Sequence, residues 1–209
     1  MRKIDRVQAY GINAMFVSEG ERNIIDEGDN LFDFSGARNY AATLASNDMV
    51  AMPDCDEEYT CLDIDKINEH ILAGIEQLEY NFVFCHDEYG NEAIKFLHSK
   101  FYNREKAKWE GLIHEVLCGD VKSKWVGEDV IKLEHWQNTE TDRSGYLRGL
   151  ALDCYENPLN DRNAHYFARE LMWSGRPESA KNQFLRHIAM EKWPAERAQS
   201  MIFLGDITG

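Results

Sequence analysis

The sequence predicts an α/β domain over residues 1–138 followed by an all-helical region over 139–209. Two observations carry the division. As far as residue 138, short apolar or β-branched runs alternate with stretches whose apolar residues recur every three or four positions, which are the periods of strand and helix. Beyond Thr139 the strand-type runs stop and only the helical spacing continues. Length agrees, because 209 residues leave room for one core and a second, smaller body.

The first 33 residues pattern weakly. Val7, Tyr10 and Ile12 suit a strand start or a helix end, and the polar, acidic stretch from Glu19 to Asn30, broken by Gly20 and Gly28, reads as connector. From Phe34, residues Ala37, Tyr40, Ala41, Leu44 and Ala45 recur at helical spacing behind Asp33 or Ser35 as caps, predicting a helix that ends near Ser46–Asn47. Met49–Met52 is an apolar run closed by Pro53 and then by Asp54, Cys55, Asp56, Glu57 and Glu58, the pattern of a buried strand that delivers carboxylates into a loop. Ile64, Ile67, Ile71, Ile75 and Leu78 predict a second amphipathic helix capped by Asp63. Tyr80–Cys85 and Ala93–Leu97 read as a hairpin across Glu88-Tyr89-Gly90-Asn91, with further strands at Gly111–Leu117, Val121–Val126 and Val130–Leu133.

Three helices are predicted after Thr139. Ala164, Phe167, Ala168, Leu171 and Met172 form one apolar face; Gly175 and Pro177 stop and restart the chain; Ala180, Phe184 and Ile188 form the next face. Trp193-Pro194 opens the third, with Ala198, Met201 and Ile202 turned inward. Two helices joined by a Gly-Arg-Pro turn look like a tetratricopeptide-type hairpin. One and a half such units fall short of the roughly three that a free-standing array needs, so docking on the preceding domain is expected.

Composition narrows the function. Lys and Arg number 23 against 37 Asp and Glu, a formal charge of −14, which excludes broad attraction to a phosphate backbone and with it general nucleic-acid binding. A chain that is 44% hydrophobic with 4 Pro is not too polar to fold. Apolar runs such as Ala14–Val17 fall far short of the ~20 residues that cross a bilayer, and no charged-then-apolar leader opens the sequence. A cytoplasmic location without a transmembrane segment is the expectation. The five cysteines are odd in number and lack a C-x-x-C pair, so they read as reduced, small buried hydrophobes.

Chemistry is expected where Asp54-x-Asp56 follows the apolar run. Side chains alternate direction along a strand, so a loop or bulge must let both carboxylates reach one cation. In enzymes that use nucleotide-diphosphate donors that cation is Mn²⁺ or Mg²⁺, which neutralises charge growing on the leaving group. A solvated acidic loop would present the same two residues. Other features agree in a fixed order: Phe34-Ser35-Gly36-Ala37-Arg38-Asn39, then Asn47 to Glu57, then Trp109-Glu110-Gly111-Leu112-Ile113-His114-Glu115.

These segments resemble the large inverting family-2 glycosyltransferases of GT-A fold, a nucleotide-diphospho-sugar transferase architecture of mixed sheet and helices. They match that family's F-S-x-A-R-N helix start, its strand bearing D-x-D, and its G-x-x-H-E element beside the acceptor. The stretch from Asn160 to Asp206 looks like the tetratricopeptide-like helices appended to some members. The resemblance implies that Asp54 and Asp56 hold the metal on a sugar nucleotide, with a UDP-sugar the expected donor. Arg38 and Asn39 would lie at the donor, where a guanidinium suits anionic oxygens; a surface ion pair with Asp33 is the plainer reading of Arg38. His114 and Glu115 would border the reacting centre, with Glu115 as general base toward the acceptor hydroxyl, although a half-buried structural histidine fits His114 equally. His135 would complete the metal shell, and Trp109 would line the acceptor site or simply pack in the core.

The chain departs from the family at Pro53 and Cys55, and no nucleoside-binding strands precede Met1-Arg2-Lys3. Such an entry into the fold implies a sheet edge open to a second copy, hence a homodimer. Two rivals stand beside the transferase: an inactive scaffold on the same fold, and a metal-dependent phosphoester hydrolase.

Overall fold

The computed structural model describes residues 2–3, 30–136 and 145–209. Most of the connector expected within residues 1–33, and the change of character at Thr139, lie outside them. The fold is mixed α/β, in two compact units. One comprises Ser35–Glu110 and, of the described residues, 115–136; the other comprises Gly111–His114 and, of the described residues, 2–3, 30–34 and 145–209.

In the first unit, helix α1 (Phe34–Thr43), which belongs to it from Ser35 on, ends before Ser46 because its final turn tightens: Leu44 and Ala45 donate to the carbonyls three residues back. Strand β3 (Met49–Ala51) follows, then β4 (Glu57–Leu62) and α2 (Ile64–Leu72), capped as expected by Asp63, which accepts from the Lys66 N–H at 3.1 Å. This helix stops short of Leu78. Gly74, at φ +78°, turns the chain, and Leu78 is a fully buried member of the next strand, β5 (Gln77–His86). Its apolar spacing had continued the helical period by coincidence of two core-facing elements.

Strand β6 (Glu92–Asn103) pairs antiparallel with β5 across a turn in which Asp87 accepts from the N–H groups of Tyr89 and Asn91 and Gly90 takes φ +83°. The strand expected at Gly111–Leu117 is instead a hairpin of β7 (Ala107–Glu110) and β8 (Val116–Gly119). Gly111 at φ +97° and His114 at φ +54° are left-handed, which takes residues 111–114 out of the ladder. Strands β9 (Ser123–Trp125) and β10 (Ile131–His135) complete the unit.

The principal sheet runs β3-β6-β5-β10-β4, with β9 on β5; β10 and β9 are parallel to β5, and the other pairs are antiparallel. In a flat sheet β6 and β4 would stand about 14 Å apart, three spacings of ~4.8 Å. Lys100 of β6 nevertheless reaches Glu57 of β4 at 2.5 Å, so the sheet curls. Ile67, Leu78, Tyr80, Phe82, Ile131 and Leu133 fill one core and Val50, Tyr102, Ala107 and Trp109 a smaller one.

In the second unit a two-residue pairing, β1 (Arg2–Lys3) with β2 (Asn30–Leu31), accompanies four helices: α3 (Tyr146–Glu156), α4 (Asp161–Trp173), α5 (Pro177–Met190) and α6 (Pro194–Thr208). Three were expected. Helix α3 escaped because Gly149 through Tyr155 are all buried, and a helix enclosed on every side carries no polar stripe to reveal its period. The α4–α5 junction is as read: Gly175 sits at φ +75°, Arg176 N–H caps the Leu171 carbonyl at 2.9 Å, and Pro177 opens α5. Ala198, Met201 and Ile202 face outward rather than inward, and Phe203, Leu204 and Ile207 pack instead. Buried Ser200, hydrogen-bonded to His165 and His187, sets that rotation.

None of the five cysteines is in a disulfide, but only Cys154 is buried and Cys55 is exposed, at a turn where no core is available. Among the described residues no helix is long and apolar enough to cross a membrane.

Loop 111–114 is held against α3: the Leu112 N–H donates to Asp153 Oδ2 at 2.7 Å, and Gly149 leaves just the space that Ile113 occupies. A Cβ on Gly149 would overlap Ile113 Cγ1 and sit 2.9 Å from its Cδ1. Gly149→Val is therefore expected to cost about 2 kcal/mol or more through overpacking, read as a lowered urea midpoint.

Candidate functional site

Three segments deliver charge to one place in the α/β unit. Helix α1 supplies Arg38, the β3–β4 turn supplies Asp54, the first residue of β4 is Glu57, and Glu115 immediately precedes β8. Arg38 Nε donates to Glu115 Oε1 at 2.6 Å, and its Nη2 pairs with Asp54 Oδ1. From β6, Lys100 Nζ reaches Asp54 Oδ2 at 2.7 Å and Glu57 Oε1 at 2.5 Å, while the other Glu57 oxygen accepts the Asp54 N–H at 2.8 Å. Lys100 and Glu57 side chains are each 4% exposed, so theirs is a buried ion pair rather than a surface one, while Asp54 stands at the edge of the cluster.

Its electrostatics follow from that burial. Desolvation alone would raise the Asp54 pKa, but Lys100 and then Arg38 outweigh it and hold the carboxyl below its ordinary value. Desolvation likewise opposes the charge on Arg38, and Asp54 with Glu115 more than restores it, raising the guanidinium. Both oxygens of Asp54 are thus engaged by protein cations, which separates it from its neighbour two residues on.

Asp56 faces elsewhere. Its Oδ2 lies 3.2 Å from His135 Nε2, and the register of β10 against β4 places His135 opposite Glu57. His135 Nδ1 donates to the Phe84 carbonyl at 2.9 Å, and the ring stacks on Phe84. With Nδ1 committed as a donor, a neutral His135 presents the Nε2 lone pair to a carboxylate. Two acceptors in contact call for a cation, whether a proton on Nε2 or a metal ion.

The remaining residues singled out in the sequence are placed as follows. Asn39 and Trp109 bind one another: Asn39 Nδ2 donates to the Trp109 carbonyl at 2.8 Å, and the Trp109 N–H donates to Asn39 Oδ1 at 2.9 Å. The amide thus mimics a strand partner for β7. The Trp109 ring is buried, its Nε1 donates to Tyr102 Oη at 3.0 Å, and the Arg38 guanidinium lies 4.9 Å above it. His114 belongs to the helical unit, where its ring stacks on Tyr166 at 4.1 Å. A concavity of about 350 Å³ is lined by residues of α1, β6, the β6–β7 turn and β7, among them Asn39, Tyr40, Tyr102, Arg104 and Lys108, within the size range of small-molecule sites.

Lys100 and Glu57 were not anticipated. Period-two alternation offers the missing signal: Lys100 shares a strand face with Tyr102, which is 1% exposed, so a lysine at that position points into the unit and must find a carboxylate. Neither a scan against known protein families nor a search of curated proteins finds a match to this chain.

Two outcomes are expected. Lys100→Met keeps the shape and leaves Glu57 and Asp54 short of a cation, at a cost of about 3–5 kcal/mol in urea unfolding; adding Glu57→Gln recovers part of it. Asp54, whose folded pKa is lowered, contributes stability that is complete above about pH 4 and lost as pH falls through its folded value. Asp54→Asn therefore flattens the acid limb of a stability-versus-pH curve without steepening it anywhere above that limb.

Proposed function

We propose that the α/β unit is a GT-A-type transferase centre that moves a sugar from a nucleoside-diphosphate donor, a UDP-sugar by preference, to an acceptor nucleophile with inversion. The observation that carries the reading is Arg38. It joins Asp54 and Glu115, 16 and 77 positions away, so that the three segments resembling the family-2 transferases meet in one ion cluster.

Asp56 and His135 fit a divalent ion, because a carboxylate oxygen and an imidazole lone pair already face each other at 3.2 Å. Mn²⁺ or Mg²⁺ held there would supply Lewis-acid neutralisation of the departing diphosphate. Asp54 has a different task from the one its D-x-D position implies: with both oxygens on Arg38 and Lys100 it orients the guanidinium rather than ligating metal. Glu115 gives Oε1 to Arg38, which leaves Oε2 to take the acceptor's proton as the nucleophile attacks the anomeric carbon. Arg38, held from two sides, is preorganised for the anionic donor.

One observation favours the inactive-scaffold reading. Asp54, Glu57 and Glu115 each already pair with Arg38 or Lys100, so every carboxylate of the cluster has a protein cation without a ligand.

Thermal-shift titration with Mn²⁺ and a panel of UDP-, GDP- and TDP-sugars separates the two. The transferase reading expects a rise in Tm for a donor together with Mn²⁺, abolished by His135→Asn, and a Glu115→Gln variant that retains the rise but loses turnover by roughly 10²-fold or more. No rise with any donor would leave the scaffold.

A further inference from the structure

Helices α4, α5 and α6 bury a chain of polar groups. Ser200 is fully buried, and its Oγ lies 2.8 Å from Nδ1 of His165 and 2.8 Å from Nδ1 of His187. The far nitrogen of His165, Nε2, lies 3.0 Å from Gln199 Oε1.

With neutral rings these contacts admit one arrangement of protons. An amide oxygen only accepts, so His165 Nε2 carries the proton and its Nδ1 is a lone pair. Ser200 must then give its one hydroxyl proton to His165. Its oxygen can only accept from the other ring, so His187 Nδ1 is the donor and the His187 lone pair stands at Nε2, an atom that makes no hydrogen bond with any described residue.

His187, 2% exposed in the last turn of α5, is grouped with Asp161 in the first turn of α4 and Glu196 in the first turn of α6, one ligand atom of each lying within 4.8 Å of the others. Each carboxylate is held by one oxygen or flanked by a cation: Glu196 Oε1 accepts from Arg162 at 3.0 Å, Asp161 Oδ2 accepts from the Trp193 N–H at 3.2 Å, and Lys192 stands 3.9 Å from Asp161 Oδ1. Among the described residues this is the only group of three such side chains so close together.

We propose that Asp161, His187 and Glu196 form a binding site for a divalent transition-metal ion of the Zn²⁺ class, tying together the ends of three helices. One imidazole with two carboxylates favours Zn²⁺ over Mg²⁺ or Ca²⁺, which take oxygen donors. Three protein ligands leave one tetrahedral position for water. Ser200, His165 and Gln199 act behind the site by fixing the His187 tautomer, as outer-shell partners of metal-bound histidines do. The site is independent of Asp56 and His135, which belong to the other unit.

Full-length protein stripped with chelator is titrated with Zn²⁺ by calorimetry and thermal shift, in wild type and in His135→Asn, which removes the other imidazole–carboxylate pair. One equivalent bound in His135→Asn, with a raised Tm, is the expected result. Glu196→Gln, checked for fold by circular dichroism, is expected to abolish that binding, and Ser200→Ala to weaken it roughly ten- to a hundredfold. Zn²⁺ binding that persists unchanged in Glu196→Gln, that vanishes with His135→Asn, or that is absent from wild type overturns the proposal.

Discussion

Two cations, buried Lys100 and half-buried Arg38, organise the α/β unit. Arg38 and Lys100 hold Asp54, Glu57 and Glu115, three carboxylates from segments far apart in the chain, and Lys100 does so across the inside of a curled sheet. Ion pairs of this kind contribute less to net stability than their number suggests, since desolvation offsets much of the attraction. They act as a condition on the fold: each partner is costly without the other, so only the arrangement that brings β6, α1 and the β3–β4 turn together is tolerated. The same condition divides Asp54 from Asp56. One carboxylate is saturated by protein cations, and the other is left facing His135.

A second theme is shared by the two units. In each, a histidine uses Nδ1 locally, His135 toward the Phe84 carbonyl and His187 toward Ser200. Each thereby leaves Nε2 as its outer nitrogen, which in His135 meets Asp56. A backbone carbonyl or a hydroxyl is enough to choose the tautomer, and the choice decides whether the outer nitrogen is a donor or a ligand. Neither partner is visible in the residues next to the histidine.

Much of the local structure was legible. Caps and punctuation act over a few residues, and Asp63, Gly90, Gly175 and Pro177 behave as their chemistry requires. Failures arose where an element's surroundings, not its own pattern, set the outcome. Leu78 extended a helical period yet belongs to β5; Gly111 and His114 broke an apparent strand by adopting left-handed conformations; α3 lacked a stripe because it is enclosed; and α6 turned its polar Ser200 inward. Of the candidate site, the sequence singles out Arg38, Asp54, Asp56, Glu115 and His135 but sets Asp54 with Asp56 and His135, whereas the structure pairs Asp54 with Arg38 and Lys100; it does not single out Lys100 or Glu57.

The sequence alone determined the α/β-then-helical order, the excess of acid over base, and the short segments in which Arg38, Asp54, Asp56, Glu115 and His135 stand, because composition, periodicity and capping are properties of neighbouring residues. Only the tertiary structure decided that Asp54 pairs with Arg38 and Lys100 while Asp56 meets His135, that Trp109 is core, and that Asp161, His187 and Glu196 converge. Those outcomes depend on how a sheet curls and how helices rotate about their axes. Both are set by what each buried polar group must find as a partner, often dozens of residues away.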